Sequence, residues 1–112
     1  MIKTYLVEPL SSNILSGGLC RLHKIYGIGP GFIPGILKPE AFDGVFAISD
    51  EEAYDYVDRL AKKESIFARI SSGDNVCASV KLAEKMKSNE IVVTILADNG
   101  YRYLSTPDFI KN

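Results

Sequence analysis

The sequence predicts an α/β domain, a small and mainly parallel sheet flanked by helices, and three observations carry that prediction. Three short apolar segments alternate with two segments of helical period. The apolar segments are hydrophobic at nearly every position, whereas a sheet with one wet face would alternate polar and apolar residues. A chain of 112 residues, 46% hydrophobic and 24% charged, has the composition of one globular domain, taken here as 1–112. No internal repeat, low-complexity tract or second-domain boundary is visible.

The expected strands are Tyr5-Leu6-Val7, Val45-Phe46-Ala47-Ile48 and Ile91-Val92-Val93-Thr94-Ile95-Leu96, and helices should cover both of their faces. The first helix is announced by Ser49-Asp50-Glu51-Glu52, which has the spacing of a capping box. Ala53, Tyr56, Val57, Leu60 and Ala61 then recur at helical spacing, opposite Asp55, Asp58, Arg59, Lys62 and Lys63. The second helix is predicted from about Asp74 to Lys87, with Val76, Cys77, Val80, Ala83 and Met86 on its apolar stripe. Lys81, Lys85 and Lys87 lie late enough to complement its C-terminal dipole. Between Pro9 and Pro39 runs a long stretch rich in Gly and Pro. Its interleaved Leu15, Leu19, Ile25, Tyr26, Ile28, Phe32 and Ile33 supply too much apolar surface for a disordered linker, so an ordered loop that shapes a site or an interface is expected.

Charge and hydropathy narrow the classes of function. Thirteen Lys+Arg against fourteen Asp+Glu give a net charge of -1, and the arginines stand apart at 21, 59, 69 and 102, which offers nucleic acid no basic surface. The longest apolar runs are strand-length, far short of the ~20 residues of a membrane-spanning helix. The N-terminal Met1-Ile2-Lys3-Thr4-Tyr5 lacks the long apolar block of a signal peptide, and a cytoplasmic location is expected. Two cysteines, Cys20 and Cys77, make neither a disulfide framework nor a zinc ligand set, and reduced thiols are the default.

Several constellations have both a chemical and a structural reading. Gly27-x-Gly29-x-Gly31 departs from the dinucleotide fingerprint, with Phe32 where the third glycine would stand and no strand directly before it, so tight backbone turns explain it better. Ser71-Ser72-Gly73 opens the second helix, where amides and hydroxyls suit an acceptor atom or an anion, or where a serine simply caps the helix. Asp74 favours the helix dipole there but repels an anion. His23-Lys24 has no paired carboxylate or nucleophile beside it, and Cys77 occupies an apolar helical position suited to an inert thiol. Asp98-Asn99-Gly100 follows the third apolar run, at the end of a strand where α/β proteins bind ligands and where a plain turn serves equally.

Taken together these segments resemble the C-terminal part of cysteine synthase (O-acetylserine sulfhydrylase), a pyridoxal-phosphate enzyme of fold type II that makes cysteine from O-acetylserine and sulfide. Glu8-Pro9-x-x-Ser12-x-x-Leu15-Ser16-Gly17-Gly18, His23-Lys24-Ile25-x-Gly27-Ile28-Gly29-x-Gly31-Phe32-Ile33-Pro34, Ile70-Ser71-Ser72-Gly73 and Gly100-x-Arg102-Tyr103-Leu104-Ser105-Thr106 occur in the family's order. The resemblance implies a truncated piece of the family's larger domain. It gives Ser71 the place of the hydroxyl that bonds the cofactor's pyridine nitrogen and sets Asp98 near the pyridine end. Gly27, Ile28, Gly29, Gly31 and Phe32 would border the substrate entrance.

In the family, the lysine that forms the Schiff base, the loop that grips the substrate carboxylate and the loop that holds the cofactor phosphate all precede the segment seen here. No lysine of this chain matches the catalytic one, so the resemblance assigns it no catalytic residue and no metal. Arg69 stands where the family has Gly, Asp74 where it has a small residue, Asn99 for Ser and Pro30 for Ala. Two functions are therefore expected from different classes: a piece of a cysteine-synthase-like enzyme completed by a chain carrying the N-terminal half, or an inactive binding module that keeps the fold. A parallel sheet cut from a larger one leaves an edge and an apolar face uncovered, so a homo-oligomer or a hetero-complex is expected.

Overall fold

Strand β1 (Tyr5–Pro9) pairs in parallel with strand β2 (Gly44–Ile48), in a register running from Tyr5 opposite Gly44 to Pro9 opposite Ile48. The computed structural model that shows this describes residues 1–105, so Thr106, the last residue of the fourth family motif, lies outside the described residues. A parallel pair needs a long crossover, and here residues 10–43 supply it. Of its interleaved apolar residues only Ile25 is buried, while Leu19, Tyr26, Phe32 and Ile33 are exposed, so polar contacts do much of the work of holding the crossover. Buried Glu8 accepts hydrogen bonds from the Leu15 amide and the Ser16 hydroxyl, and buried Ser12 accepts from the Arg21 amide at 3.2 Å. Ile25 is fully buried in the core beside Ile48.

Helix α1 (Asp50–Glu64) begins as its capping box predicts: Ser49 Oγ accepts from the Glu52 amide at 3.1 Å, and the Glu52 carboxylate accepts from the Ser49 amide at 3.2 Å. It ends at Ser65, in the left-handed region at φ 57°. Ala53, Val57 and Leu60 are buried as the periodicity requires, joined by Tyr54, whose hydroxyl donates to the Lys24 carbonyl at 3.2 Å and so ties the crossover to the helix. Tyr56 is only half-buried and stacks under the Arg59 guanidinium.

Helix α2 (Ile70–Ala83) starts one turn earlier than the apolar stripe suggests and stops before Lys85 and Lys87. The first turn, Ile70-Ser71-Ser72-Gly73-Asp74, is wholly buried despite its polar composition, which is why hydropathy alone misses it. α2 packs on both strands and on α1. The reason lies at Gly73, where a Cβ would stand 2.1 Å from the Ala53 carbonyl oxygen and 2.6 Å from a Val57 methyl. Only a residue without a side chain lets the two helices approach so closely.

Two expectations are corrected. Ile91–Leu96 does not form a strand, because among the described residues no neighbouring strand lies beside it to complete a ladder. Nor are the two strands buried on both faces: residues 5–7 and 44–47 are half-buried, since each strand of a two-stranded sheet is an edge. The α/β class and the small parallel sheet stand.

The Gly73 contact gives a direct test. In a free helix Gly→Ala adds about 1 kcal/mol of stability, but Gly73→Ala should lower it by about 2 kcal/mol or more through overpacking against α1. Urea unfolding followed by circular dichroism reads the sign.

Candidate functional site

The N-terminal turn of α2 gathers residues from three separate parts of the sequence. Arg69 is the N-cap and makes no side-chain cap bond, so neither Ser71 nor Ser72 caps the helix; both lie inside its first turn. Ser72 is fully buried, and its hydroxyl donates to the Ala97 carbonyl at 3.1 Å. Ser71 is 5% exposed, and among the described residues its hydroxyl has no hydrogen-bond partner. The Ser72 bond also brings Asp98 to the same end of α2. Asp98 adopts φ 53° and its carboxylate accepts from the Asn99 amide at 2.9 Å, a tight turn sealed by the Ala68–Asn99 antiparallel bridge.

The glycine loop joins the site through Arg69. Its guanidinium donates to the Tyr26 carbonyl at 3.3 Å and lies against Gly27, where a Cβ would stand 2.5 Å from Nη2. Gly27, Gly29 and Gly31 all have positive φ, at 93°, 61° and 87°, a conformation that β-carbon sterics penalise. His23 braces the turn: its Nδ1 accepts from the Ile25 amide at 3.1 Å, which leaves the ring proton on Nε2 to donate to the Gly29 carbonyl at 3.1 Å. Residues 20–23 and 26–31 thus wall an open cleft of about 580 Å³. Gly27, Ile28, Gly29 and Gly31 line it; Phe32 does not and is exposed. His23 is half-buried, and both ring nitrogens are engaged in bracing the loop.

The departures from the family pattern now have locations. Asp74 is completely buried, and neither carboxyl oxygen has a hydrogen-bond partner among the described residues. Burial, with the nearby charges of Asp50 and Glu52, pushes its carboxyl up to about 8, so it is mostly protonated at neutral pH and adds little negative charge to the helix start. Glu52 is held below the usual carboxylate range by its hydrogen bond to Lys81 Nζ, at 2.9 Å. Cys77 is buried and unbridged, and burial pushes its thiol up to about 11, the behaviour of an inert core residue; Cys20 is exposed and also unbridged. Among the described residues no three His, Cys, Asp or Glu side chains cluster to hold a metal, and no helix is long and apolar enough to cross a membrane.

Sequence reasoning missed Ser72 and Asn75 as the residues that hold segment 91–98 against α2. Asn75 Nδ2 donates to the Ile95 carbonyl at 2.9 Å. Their signal was present only as polar residues on an otherwise apolar helix, which periodicity assigns to solvent.

Comparison with known proteins fixes the class of this arrangement. No family profile matches the chain. It is 42% identical over 106 residues to a cysteine synthase of Staphylococcus aureus (strain N315) and 44% identical over 105 residues to a probable cysteine synthase of Bacillus subtilis (strain 168), covering 95% and 94% of this chain. Among solved structures, the cysteine synthase of Entamoeba histolytica superposes with a TM-score of 0.92 at 37% identity over 99% of the chain, and the O-acetylserine dependent cystathionine beta-synthase of Helicobacter pylori with 0.90 at 40% over 96%. The fold is thus that of part of the fold type II pyridoxal-phosphate enzymes. Within that class, the chain is homologous to part of cysteine synthase and spans about a third of the length of the relatives it matches, 34% of each curated one.

Asp74 supplies a pH test of the site's interior. A carboxyl raised from 3.8 to about 8 on folding binds its proton more tightly in the folded state, so stability falls as pH rises through that window, by up to about 1.4 kcal/mol per pH unit. Asp74→Asn should remove this slope, gaining most over the parent at pH 8 and little at pH 4. Denaturant midpoints measured across that range check it.

Proposed function

We propose that this chain supplies the pyridine-nitrogen side of a pyridoxal phosphate site in a cysteine-synthase-like enzyme, forming cysteine from O-acetylserine and sulfide. The Schiff-base lysine and the phosphate loop of the completed site come from outside these 112 residues. The observation that carries the proposal is the place of Ser71 in the first turn of α2, beside the turn at Asp98 and at the one position where the resemblance calls for a donor to the ring nitrogen. Pyridoxal phosphate, when bound, acts as an electron sink for reaction at the substrate's β-carbon. Ser71 would orient the ring without holding it protonated, as a carboxylate would. Asp98 would border the same end, and the Gly27–Gly31 loop, braced by His23 and strapped by Arg69, would wall the route by which substrate enters. The same reading places the assembly in the cytoplasm.

The neighbouring substitutions are compatible with that role. The Arg69 cation is directed to the Tyr26 carbonyl, and Asp74 is a mostly neutral acid at pH 7. Neither opposes a donor at Ser71 with a bare charge.

The reading predicts that the chain alone gives no saturable adduct with pyridoxal phosphate, by visible absorbance or by intact mass after borohydride reduction. Mixed with the polypeptide that carries the lysine, it should bind the cofactor, and Ser71→Ala should weaken that binding about tenfold, the worth of one hydrogen bond of roughly 1.4 kcal/mol. A saturable adduct on one lysine of the isolated chain, or unaltered affinity in the Ser71→Ala complex, would overturn the proposal. A complex with no cofactor affinity at all would leave the inactive binding module as the function.

A further inference from the structure

Asp74 puts an acid in an apolar place. With Ile70, Cys77 and Ala78 it forms the buried stripe of α2, at the helical spacing of one face. Both of its carboxyl oxygens are shut off from solvent without a hydrogen-bond partner among the described residues, so this interior offers a carboxylate nothing to hold it. Asp50, the first residue of α1, brings a second carboxyl within electrostatic reach. Its Oδ2 accepts from the Lys24 amide at 3.1 Å, and its Oδ1 is also buried without a partner. The Lys24 backbone is thus held twice by α1, its N–H by Asp50 and its carbonyl by the Tyr54 hydroxyl at 3.2 Å. The next residue, Ile25, is fully buried in the same core cluster as Ile70, Cys77 and Ala78. Lys24 and Ile25 lie between His23 and Tyr26, both of which wall the cleft, so Asp50 anchors the root of the glycine loop.

Among the described residues no cation answers these two acids. From α1, Asp50 and Glu52 both oppose ionisation of Asp74. Lys81 of α2 is committed to Glu52, and Cys77, one turn along from Asp74, is a neutral thiol. Strand β2 has no ionisable side chain; in β1, Glu8 is engaged by the Leu15 amide and the Ser16 hydroxyl, and Tyr5 packs on Phe46. From the loops, His23 donates to the Gly29 carbonyl, Arg69 reaches the Tyr26 carbonyl, and Asp98 accepts from the Asn99 amide.

We propose that Asp74 is a proton-operated latch on the glycine loop: while protonated it leaves Asp50 bonded to the Lys24 amide, and once it gives its proton to solvent it repels the Asp50 carboxylate from that amide and frees the root of the cleft. Asp50 is the group that moves, because it is half-buried at a helix start, whereas Asp74 lies on a buried stripe next to the tight Gly73 contact. The carboxyl raised to about 8 sets the direction: the loop is latched at neutral pH and below, and released as pH rises past that value. The latch belongs to this chain by itself, whatever the cleft admits.

The test measures amide exchange on the full chain by NMR between about pH 6.5 and about pH 9, corrected for the intrinsic rate at each pH, while the Asp74 and Asp50 carboxyl carbons are titrated in parallel. Ionisation of Asp74 also lowers global stability, so the helix amides of Val57 and Val80 serve as the reference. Protection of the Lys24 amide should fall about tenfold further than theirs, with its midpoint at the titration of the Asp74 carboxyl. Asp74→Ala should abolish that excess while the protection of α1 and α2 is kept. Asp50→Asn, which keeps an acceptor for the Lys24 amide but loses the charge, should abolish it as well, and it decides the matter if the Asp74→Ala chain does not fold. A loss of protection shared equally by Lys24, Val57 and Val80, an excess at Lys24 that survives either substitution in a folded chain, or an Asp74 carboxyl that does not titrate in this range would each overturn the inference.

Discussion

The close crossing of α1 and α2 at Gly73 is the contact on which the other arrangements depend. A helix whose first turn reads Ile-Ser-Ser-Gly-Asp would ordinarily leave its polar side chains to solvent. Because Gly73 admits the Ala53 carbonyl and the Val57 methyl, that turn is drawn wholly into the interior. Two hydroxyls and a carboxyl go with it, and each must then be satisfied, neutralised or left open to the surroundings. Ser72 is satisfied by the Ala97 carbonyl, Asp74 is neutralised, and the Ser71 hydroxyl is left without a partner among the described residues.

Those three outcomes organise the surroundings. The bond from Ser72 positions the turn at Asp98. The burial of Asp74 costs stability, which the Glu52–Lys81 pair on the outside of the same helix crossing does little to offset, being half-exposed. Arg69, just before the turn, carries the position of α2 out to the glycine loop. A single glycine thus fixes the relation between a helix start, the turn at Asp98 and a loop that lie far apart in sequence.

Much of this was legible in the residues. The capping box at Ser49 and Glu52 names its own hydrogen bonds, the stripe through Ala53, Val57 and Leu60 is buried as spaced, and the parallel pair follows from runs without polar alternation. The loop's apolar content misled, since Leu19, Tyr26, Phe32 and Ile33 are exposed, and the Glu8 and His23 side chains that hold the loop act on backbone amides that no pattern marks. The start of α2 was misplaced because hydropathy weighs Ser71, Ser72 and Asp74 as surface residues. Ile91–Leu96 has a strand's composition, but a strand is a relation between two segments, and composition states only one side of it. Ser71 was singled out by resemblance; local sequence gave it the role of a cap, which the structure assigns to Arg69.

The tethers along α2 have an evolutionary consequence. Asn75 and Ser72 hold the carbonyl oxygens of Ile95 and Ala97, atoms that every amino acid possesses. The side chains at 95 and 97 can therefore drift without loosening the segment, whereas a change at 72 or 75 releases it whatever the segment's sequence. Selection for the path of residues 91–98 should be recorded in the helix, and variation should be recorded in the strand-like segment that the helix holds.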